Sequence, residues 1–172
     1  MIAVLFPRFD HPAIEERYAS WQTQMLLRRG ETVEFAIYDP EEPASVAAAL
    51  VEGDHTLVVT DPLLIPPRNL ASRLLEILVH TPEVVAAVPV ANEAANPLQV
   101  RVPPRPYLTL RELEDVAAEI RAAAAGPETV QWDNADPAIY LCRTAFLDEI
   151  DDLPARALDG RARLRDPPHR SN

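Results

Sequence analysis

The chain contains no lysine, and this absence removes several kinds of chemistry at once. Lysine and arginine together number 16, so all 16 of these residues are arginine. Without a lysine amine, no Schiff base can form with a carbonyl substrate or with pyridoxal phosphate, and no Walker-type phosphate loop can be written. The sequence therefore excludes pyridoxal-dependent and P-loop chemistry.

Glycine, cysteine and histidine are also scarce. The four glycines, Gly30, Gly53, Gly126 and Gly160, lie too far apart for the G-x-G-x-x-G loop of dinucleotide-binding folds or the G-x-S-x-G elbow of serine hydrolases. Cys142 is the one cysteine, which excludes an internal disulfide and a cysteine-rich zinc site, and the four histidines show no H-x-x-x-H spacing. Carboxylate, arginine and backbone chemistry remain.

Charge and hydropathy limit the partners. The formal net charge of −11 at pH 7 opposes non-specific attraction to nucleic acid or to an anionic membrane, because phosphate binding needs a basic face. No apolar run reaches the roughly 20 residues that cross a bilayer, and residues 1–9 lack a basic segment followed by an apolar signal segment. We expect a cytoplasmic protein with no nucleic-acid partner and no membrane span. Arginine without lysine is typical of a GC-rich bacterial genome.

The length of 172 residues fits one domain with a hydrophobic core, since chains of roughly 150 residues bury about 70% of their unfolded surface. Residues 1–150 predict a single domain. The charged, proline-bearing stretch 151–172 predicts a loosely ordered C-terminal tail.

Apolar runs alternate with helical patterns over residues 1–90. The runs that predict strands are residues 2–6, 32–38, 55–60 and 84–90. The segments that predict helices are residues 13–29, residues 43–51 and a segment opened by Pro66-Pro67. This alternation predicts an α/β fold with a mainly parallel sheet, helices on both faces, and four consecutive parallel strands.

The second half of the chain is less regular. Residues 96–107 are rich in proline and predict a long loop. Thr109 and Glu112 have the spacing of a capping box, which predicts an amphipathic helix that ends at Gly126-Pro127. Residues 129–132 and 138–143 are strand-like, and residues 144–150 predict a short helix. Cys142, inside an apolar strand, is expected to be a buried thiol.

Polar residues follow the four predicted strands. Sheets of this kind bind ligands outside the carboxyl ends of their strands, which here carry Pro7-Arg8, Asp39, Asp61 and Asn92-Glu93. Both aspartates precede prolines and therefore also suit plain turns. The Arg8 guanidinium matches phosphate oxygens but could equally pair with Asp10 or Glu34.

Several segments resemble those of the family 2 type of GT-A nucleotide-diphospho-sugar glycosyltransferases. Residues 52–67, E-G-D-H-T-L-V-V-T-D-P-L-L-I-P-P, resemble that family's helix end, strand, aspartate motif and proline-led helix. Leu5-Phe6-Pro7 is similar to the end of its first strand, residues 82–90 to its next strand, and residues 138–150 to its later strand-arginine-helix segment.

The resemblance implies a GT-A-like fold and a protein that binds a nucleotide-diphospho-sugar and transfers the sugar to an acceptor. It implies that Pro7, Arg8 and Asp39 bind the nucleotide, with Asp39 on the base. It further implies that Asp61 binds Mg²⁺ or Mn²⁺ together with the nucleoside diphosphate, and that Asp136 is the catalytic base. From its sequence alone, Asp136 also suits a turn, in D-N-x-D-P.

The family's Asp-x-Asp motif is degenerate in this chain, because Val59 and Pro62-Leu63 stand where a second carboxylate beside Asp61 is expected. Hard cations take several oxygen ligands, so one carboxylate binds them weakly. An alternative is therefore a non-catalytic GT-A-like interaction or regulatory module. Nucleotidyl transfer normally needs a glycine-rich N-terminal loop and a lysine, and the chain has neither.

Overall fold

The computed structural model describes residues 1–8, 12–26, 33–39, 48, 51–61, 65–84, 86–89, 106–123 and 138–149. In chain order, these residues form β1 (Ile2–Pro7), α1 (Pro12–Leu26), β2 (Val33–Tyr38), β3 (His55–Val59), α2 (Leu70–His80), β4 (Ala86–Ala87), α3 (Leu110–Ala123), β5 (Ile139–Arg143) and a 3₁₀ helix (Thr144–Glu149). The α/β class is confirmed. The predictions for residues 96–105, 129–132 and 151–172 lie outside the described residues.

The five strands form one mixed sheet in the order β2-β1-β3-β5-β4. β1 pairs in parallel with β2 and with β3, whereas β5 pairs antiparallel with β3 and with β4. The prediction of parallel pairing thus holds for β1, β2 and β3. β4 also runs in the direction of these three strands, as predicted, because β3 and β4 both pair antiparallel with β5, but the antiparallel β5 separates it from β3.

One face of the sheet packs against α1 and α2. Successive strand residues point to opposite faces, so every second residue of β1 and β3 contributes to the same cluster. The buried residues of this cluster include Ile2, Val4, Phe6, Leu57, Val59 and Leu141 from the strands and Leu26, Leu70, Leu74 and Leu78 from the helices. The Asn69 N–H donates to the Met25 carbonyl at 2.8 Å, which ties the start of α2 to the end of α1.

The opposite face has its own core. Its buried residues are Leu5, Tyr38, Ala48, Val58, Tyr140, Cys142 and Leu147. Leu147 belongs to the 3₁₀ helix, which agrees with the short helix predicted after residue 143. Ala48 comes from the helix predicted over residues 43–51, most of which lies outside the described residues.

The start of α2 differs from its prediction. The helix begins at Leu70, three residues after the proline pair that was expected to open it. Asn69 adopts the left-handed conformation (φ 60°, ψ 24°), which ends any continuous helical path through this residue. The Arg68 N–H instead donates to Glu114 Oε1 of α3 at 2.9 Å, so a side chain of the neighbouring helix satisfies the turn before α2.

The capping box at the start of α3 is confirmed. The Glu112 N–H donates to Thr109 Oγ1 at 3.2 Å, and the Thr109 N–H donates to Glu112 Oε2 at 3.0 Å. Each side chain therefore satisfies a backbone N–H that the first turn of a helix leaves without a partner.

β4 is shorter than the predicted strand. Residues 84–90 are apolar, but strand structure is described only at Ala86–Ala87, which pair with β5. Pro89 lacks an N–H and cannot continue the ladder as a donor.

None of the helices in the described part of the chain has the length and apolar character that a membrane span requires.

Thr144 fixes the end of β5 against the segment that leads into β3. Its hydroxyl lies 2.6 Å from the Gly53 carbonyl and 2.9 Å from the Thr56 hydroxyl, and its N–H donates to the Asp54 carbonyl at 3.0 Å. A Cβ added to Gly53 would lie 3.2 Å from the Met1 carbonyl oxygen, so this segment passes close to the backbone of β1. These contacts explain why β5 pairs beside β3.

The Cys142 thiol should be inert in the folded protein. Burial raises its pKa from 9 to about 12, and the thiolate is the reactive form. We expect Ellman's reagent at pH 8 to modify native protein on the order of 10³ times more slowly than a free thiol, and to modify one thiol per chain in guanidinium chloride. Rapid stoichiometric modification of the native protein would contradict this burial.

Candidate functional site

The carboxyl ends of β1, β2 and β3 meet at one edge of the sheet because the three strands are parallel. We call this the carboxyl edge and define it by Pro7-Arg8, Tyr38-Asp39 and Thr60-Asp61. Four of the five residues predicted to form the site belong to it. The fifth, Asp136, lies outside the described residues, as do Asn92 and Glu93, which follow the fourth predicted strand.

The strand order reverses at this edge. The chain passes from β1 to β2 on one side and then to β3 on the other side of β1. In open α/β sheets, ligands bind in the crevice that such a reversal leaves beyond the strand ends. The β1–β2 pairing continues to Pro7 and Tyr38, whereas the β1–β3 pairing ends two positions earlier, at Leu5 and Val58. By this rule, the crevice is expected between the ends of β1 and β3.

Arg8 and Asp39 form an ion pair on the β1–β2 side of the edge. Arg8 Nη1 lies 3.4 Å from Asp39 Oδ2, and the two side chains are 62% and 37% exposed. The Arg8 N–H also donates to the Tyr38 carbonyl at 2.8 Å, which holds the backbone of this pair. Glu34, one of the partners considered for Arg8, instead accepts the Glu52 N–H at 2.9 Å. The other, Asp10, lies outside the described residues.

Asp61 lies on the β3 side of the edge and is exposed. The N–H groups of Thr60 and Asp61 both donate to the Ala138 carbonyl, at 3.0 and 3.1 Å. The residue that leads into β5 thus fixes the backbone of Asp61 just beyond the end of β3. Arg8 and Asp61 consequently follow two paired strands, and strands paired in this way lie about 4.8 Å apart.

Tyr18 of α1 interacts electrostatically with Asp61. Gln22 Nε2 donates to the Tyr18 hydroxyl at 2.7 Å. Burial raises the pKa of Tyr18, the Gln22 bond lowers it, and the nearby Asp61 carboxylate and Tyr107 phenol raise it further. Side chains from the end of β3 and from the approach to α3 therefore influence Tyr18 of α1 electrostatically.

The sequence contained a signal for this part of the site. The helix predicted over residues 13–29 corresponds to α1, and the structure buries polar residues on this helix. Glu15 and Gln22 are 7% and 1% exposed. Residues 15, 18 and 22 recur at the spacing of one helix face, and three polar-tipped residues at that spacing point to a polar environment rather than to a purely apolar core.

Tyr38 connects β2 to β3 through a hydrogen bond in the core beneath the carboxyl edge. It ends β2, directly before Asp39, and its hydroxyl donates to the Val59 carbonyl of β3 at 3.1 Å. Tyr38 is 4% exposed, so this bond lies within the core.

The described residues do not form a cation site by themselves. Across the described ranges, no three His, Cys, Asp or Glu side chains come together as metal ligands would. Asp61 by itself supplies one carboxylate, which is fewer protein ligands than a hard cation usually takes.

No protein-family model, curated protein or solved structure matches the chain.

The Arg8–Asp39 pair should contribute little to folding stability, because solvent screens exposed ion pairs and ordering two side chains costs entropy. We expect Arg8→Ala and Asp39→Ala each to lower the free energy of unfolding by less than about 1 kcal/mol in urea denaturation. Asp115→Ala, on the exposed face of α3, is the matched control. A loss above about 2 kcal/mol for either edge variant would identify the pair as structural rather than available for a ligand.

Proposed function

We propose that the carboxyl edge binds a nucleotide-diphospho-sugar, as the resemblance to GT-A glycosyltransferases implies. The observation that carries this proposal is the pairing of Arg8 with Asp39 at 3.4 Å on adjacent parallel strands, beside a crevice whose other side ends in Asp61. The Arg8 guanidinium, the Asp39 carboxylate and the Asp61 carboxylate thus follow three neighbouring strands.

Arg8 and Asp39 suit two different parts of such a ligand. The guanidinium fork of Arg8 matches phosphate oxygens, and the Asp39 carboxylate accepts hydrogen bonds from the N–H groups of a nucleobase. Binding separates the ion pair but gives each member a new partner of the appropriate charge or polarity. Because the pair is exposed, its separation costs little.

Asp61 is proposed to face the diphosphate. A Mg²⁺ or Mn²⁺ ion bound to the diphosphate would neutralise its negative charge, and Asp61 would hold this ion from the protein side. Since the described residues offer no cluster of carboxylates, the cation is expected to bind with the nucleotide rather than before it.

Transfer of the sugar belongs to the same proposal. Asp136 is the proposed base that deprotonates an acceptor hydroxyl, a role that requires it to lie within hydrogen-bond reach of that hydroxyl. The alternative function, a non-catalytic interaction or regulatory module, is favoured by the single carboxylate in the Asp61 motif. Nucleotide binding separates the two proposals.

Uridine or guanosine diphosphate, or a corresponding nucleotide-sugar, should bind the wild-type protein with Mg²⁺ or Mn²⁺ present. We expect Asp39→Ala to weaken binding by about 1–3 kcal/mol, or roughly 5- to 150-fold in Kd, because the base loses a hydrogen bond to a carboxylate. Isothermal titration calorimetry measures this loss, and Asp115→Ala should bind like the wild type. Absence of binding by folded wild-type protein would support the interaction-module alternative.

Manganese should bind weakly or undetectably without nucleotide, because Asp61 lacks a neighbouring carboxylate. Calorimetric titration of the protein with Mn²⁺ should give little heat, whereas the same titration with uridine diphosphate present should give a measurable signal that Asp61→Asn reduces. A micromolar Mn²⁺ site on the nucleotide-free protein would contradict the single-carboxylate argument.

A further inference from the structure

Pro7 occupies a position in the sheet where a backbone donor is normally needed. β1 lies between β2 and β3, and Pro7 is its last residue. The next residue, Arg8, donates its N–H to the Tyr38 carbonyl on β2. Because successive residues of a strand direct their backbone polar groups to opposite sides, the nitrogen of Pro7 is directed towards β3. That nitrogen carries no hydrogen.

The acceptor opposite this nitrogen is the Val59 carbonyl. Thr60 donates its N–H to Ala138, on the β5 side of β3, so the backbone groups of Val59 are directed towards β1. The register in which Leu5 pairs with Val58 brings the Val59 carbonyl to the level of residue 7. Val59 is 2% exposed, and a buried carbonyl without a donor is destabilising.

Tyr38 supplies the donor. Its hydroxyl lies 3.1 Å from the Val59 carbonyl oxygen, within the core. Burial raises the pKa of Tyr38 above its usual range, so the phenol retains the proton that it donates. The side chain comes from β2, on the far side of β1, and therefore spans roughly two strand spacings of 4.8 Å.

We infer that Tyr38 is a positioning residue whose hydroxyl replaces the N–H that Pro7 lacks and thereby fixes the end of β2 relative to the end of β3. A ladder bond from residue 7 would join only β1 to β3. The phenol bond instead joins the strand that precedes Asp39 directly to the strand that precedes Asp61. The bond stands on geometry alone, whereas its effect on a ligand rests on the proposed function.

A double-mutant cycle tests the replacement. Tyr38→Phe keeps the ring and removes the hydroxyl, and we expect it to lower Tm by about 3–8 °C. Pro7→Ala restores an N–H opposite the Val59 carbonyl. In the Pro7→Ala background, Tyr38→Phe should therefore cause less than half the loss of Tm that it causes when residue 7 is proline, because the new N–H donates to the Val59 carbonyl.

Tyr140→Phe is the matched control, since Tyr140 is a buried tyrosine of the same core cluster and belongs to β5. Its effect on Tm should be the same with proline or alanine at residue 7. An equal Tm loss for Tyr38→Phe in both backgrounds would overturn the inference, as would the absence of any loss in the wild-type background.

The positioning role has a separate readout. Tyr38→Phe should weaken uridine diphosphate binding in the presence of Mn²⁺ by about 3- to 10-fold at a temperature where the variant is fully folded. Tyr140→Phe should leave Kd unchanged. Unchanged affinity in Tyr38→Phe would overturn the positioning role even if the cycle shows coupling. Failure of the wild type to bind would instead contradict the proposed function. The double-mutant cycle would still decide whether the Tyr38 hydroxyl replaces the N–H that Pro7 lacks.

Discussion

The carboxyl edge depends on a backbone hydrogen bond that the central strand cannot donate. Pro7 ends β1 between two parallel neighbours, and its missing N–H leaves the buried Val59 carbonyl to be satisfied from elsewhere. The Tyr38 hydroxyl satisfies it. One consequence is that β1 and β3 stop pairing before their ends, where the strand order reverses and the crevice is expected. The other is that the strands on either side of β1 are tied together beneath that crevice.

This arrangement separates the parts that hold the edge together from the parts that are available to a ligand. Tyr38 and Val59 lie in the core, where a lost hydrogen bond is costly. Arg8 and Asp39 lie above them in solvent, where an ion pair contributes little and can exchange partners. A hydrogen-bonded core beneath an exposed ion pair suits recognition of a phosphate-bearing ligand, because the core holds the strand ends in place while the ion pair can exchange partners.

Local signals in the sequence predicted local structure well. The capping box at Thr109 and Glu112 is confirmed because its partners lie three residues apart and need no tertiary contact. The position of β5 between β3 and β4 was not predictable from periodicity, since it depends on contacts such as that between Thr144 and Gly53, which lie 91 residues apart. The edge position of Arg8 followed from its place after an apolar run, but its partner depended on strand register and not on proximity in the chain.

Amide chemical shifts test directly the proposal that a nucleoside diphosphate occupies the carboxyl edge between β1 and β3. Uridine diphosphate titrated with Mg²⁺ into ¹⁵N-labelled protein should shift the amide resonances of Arg8, Asp39 and Asp61. The resonances of Ile2 and Arg143 should not shift, because both residues lie at the opposite edge of the sheet, where each pairs with His55. Shifts concentrated at that opposite edge, or no shifts at saturating nucleotide, would contradict the account.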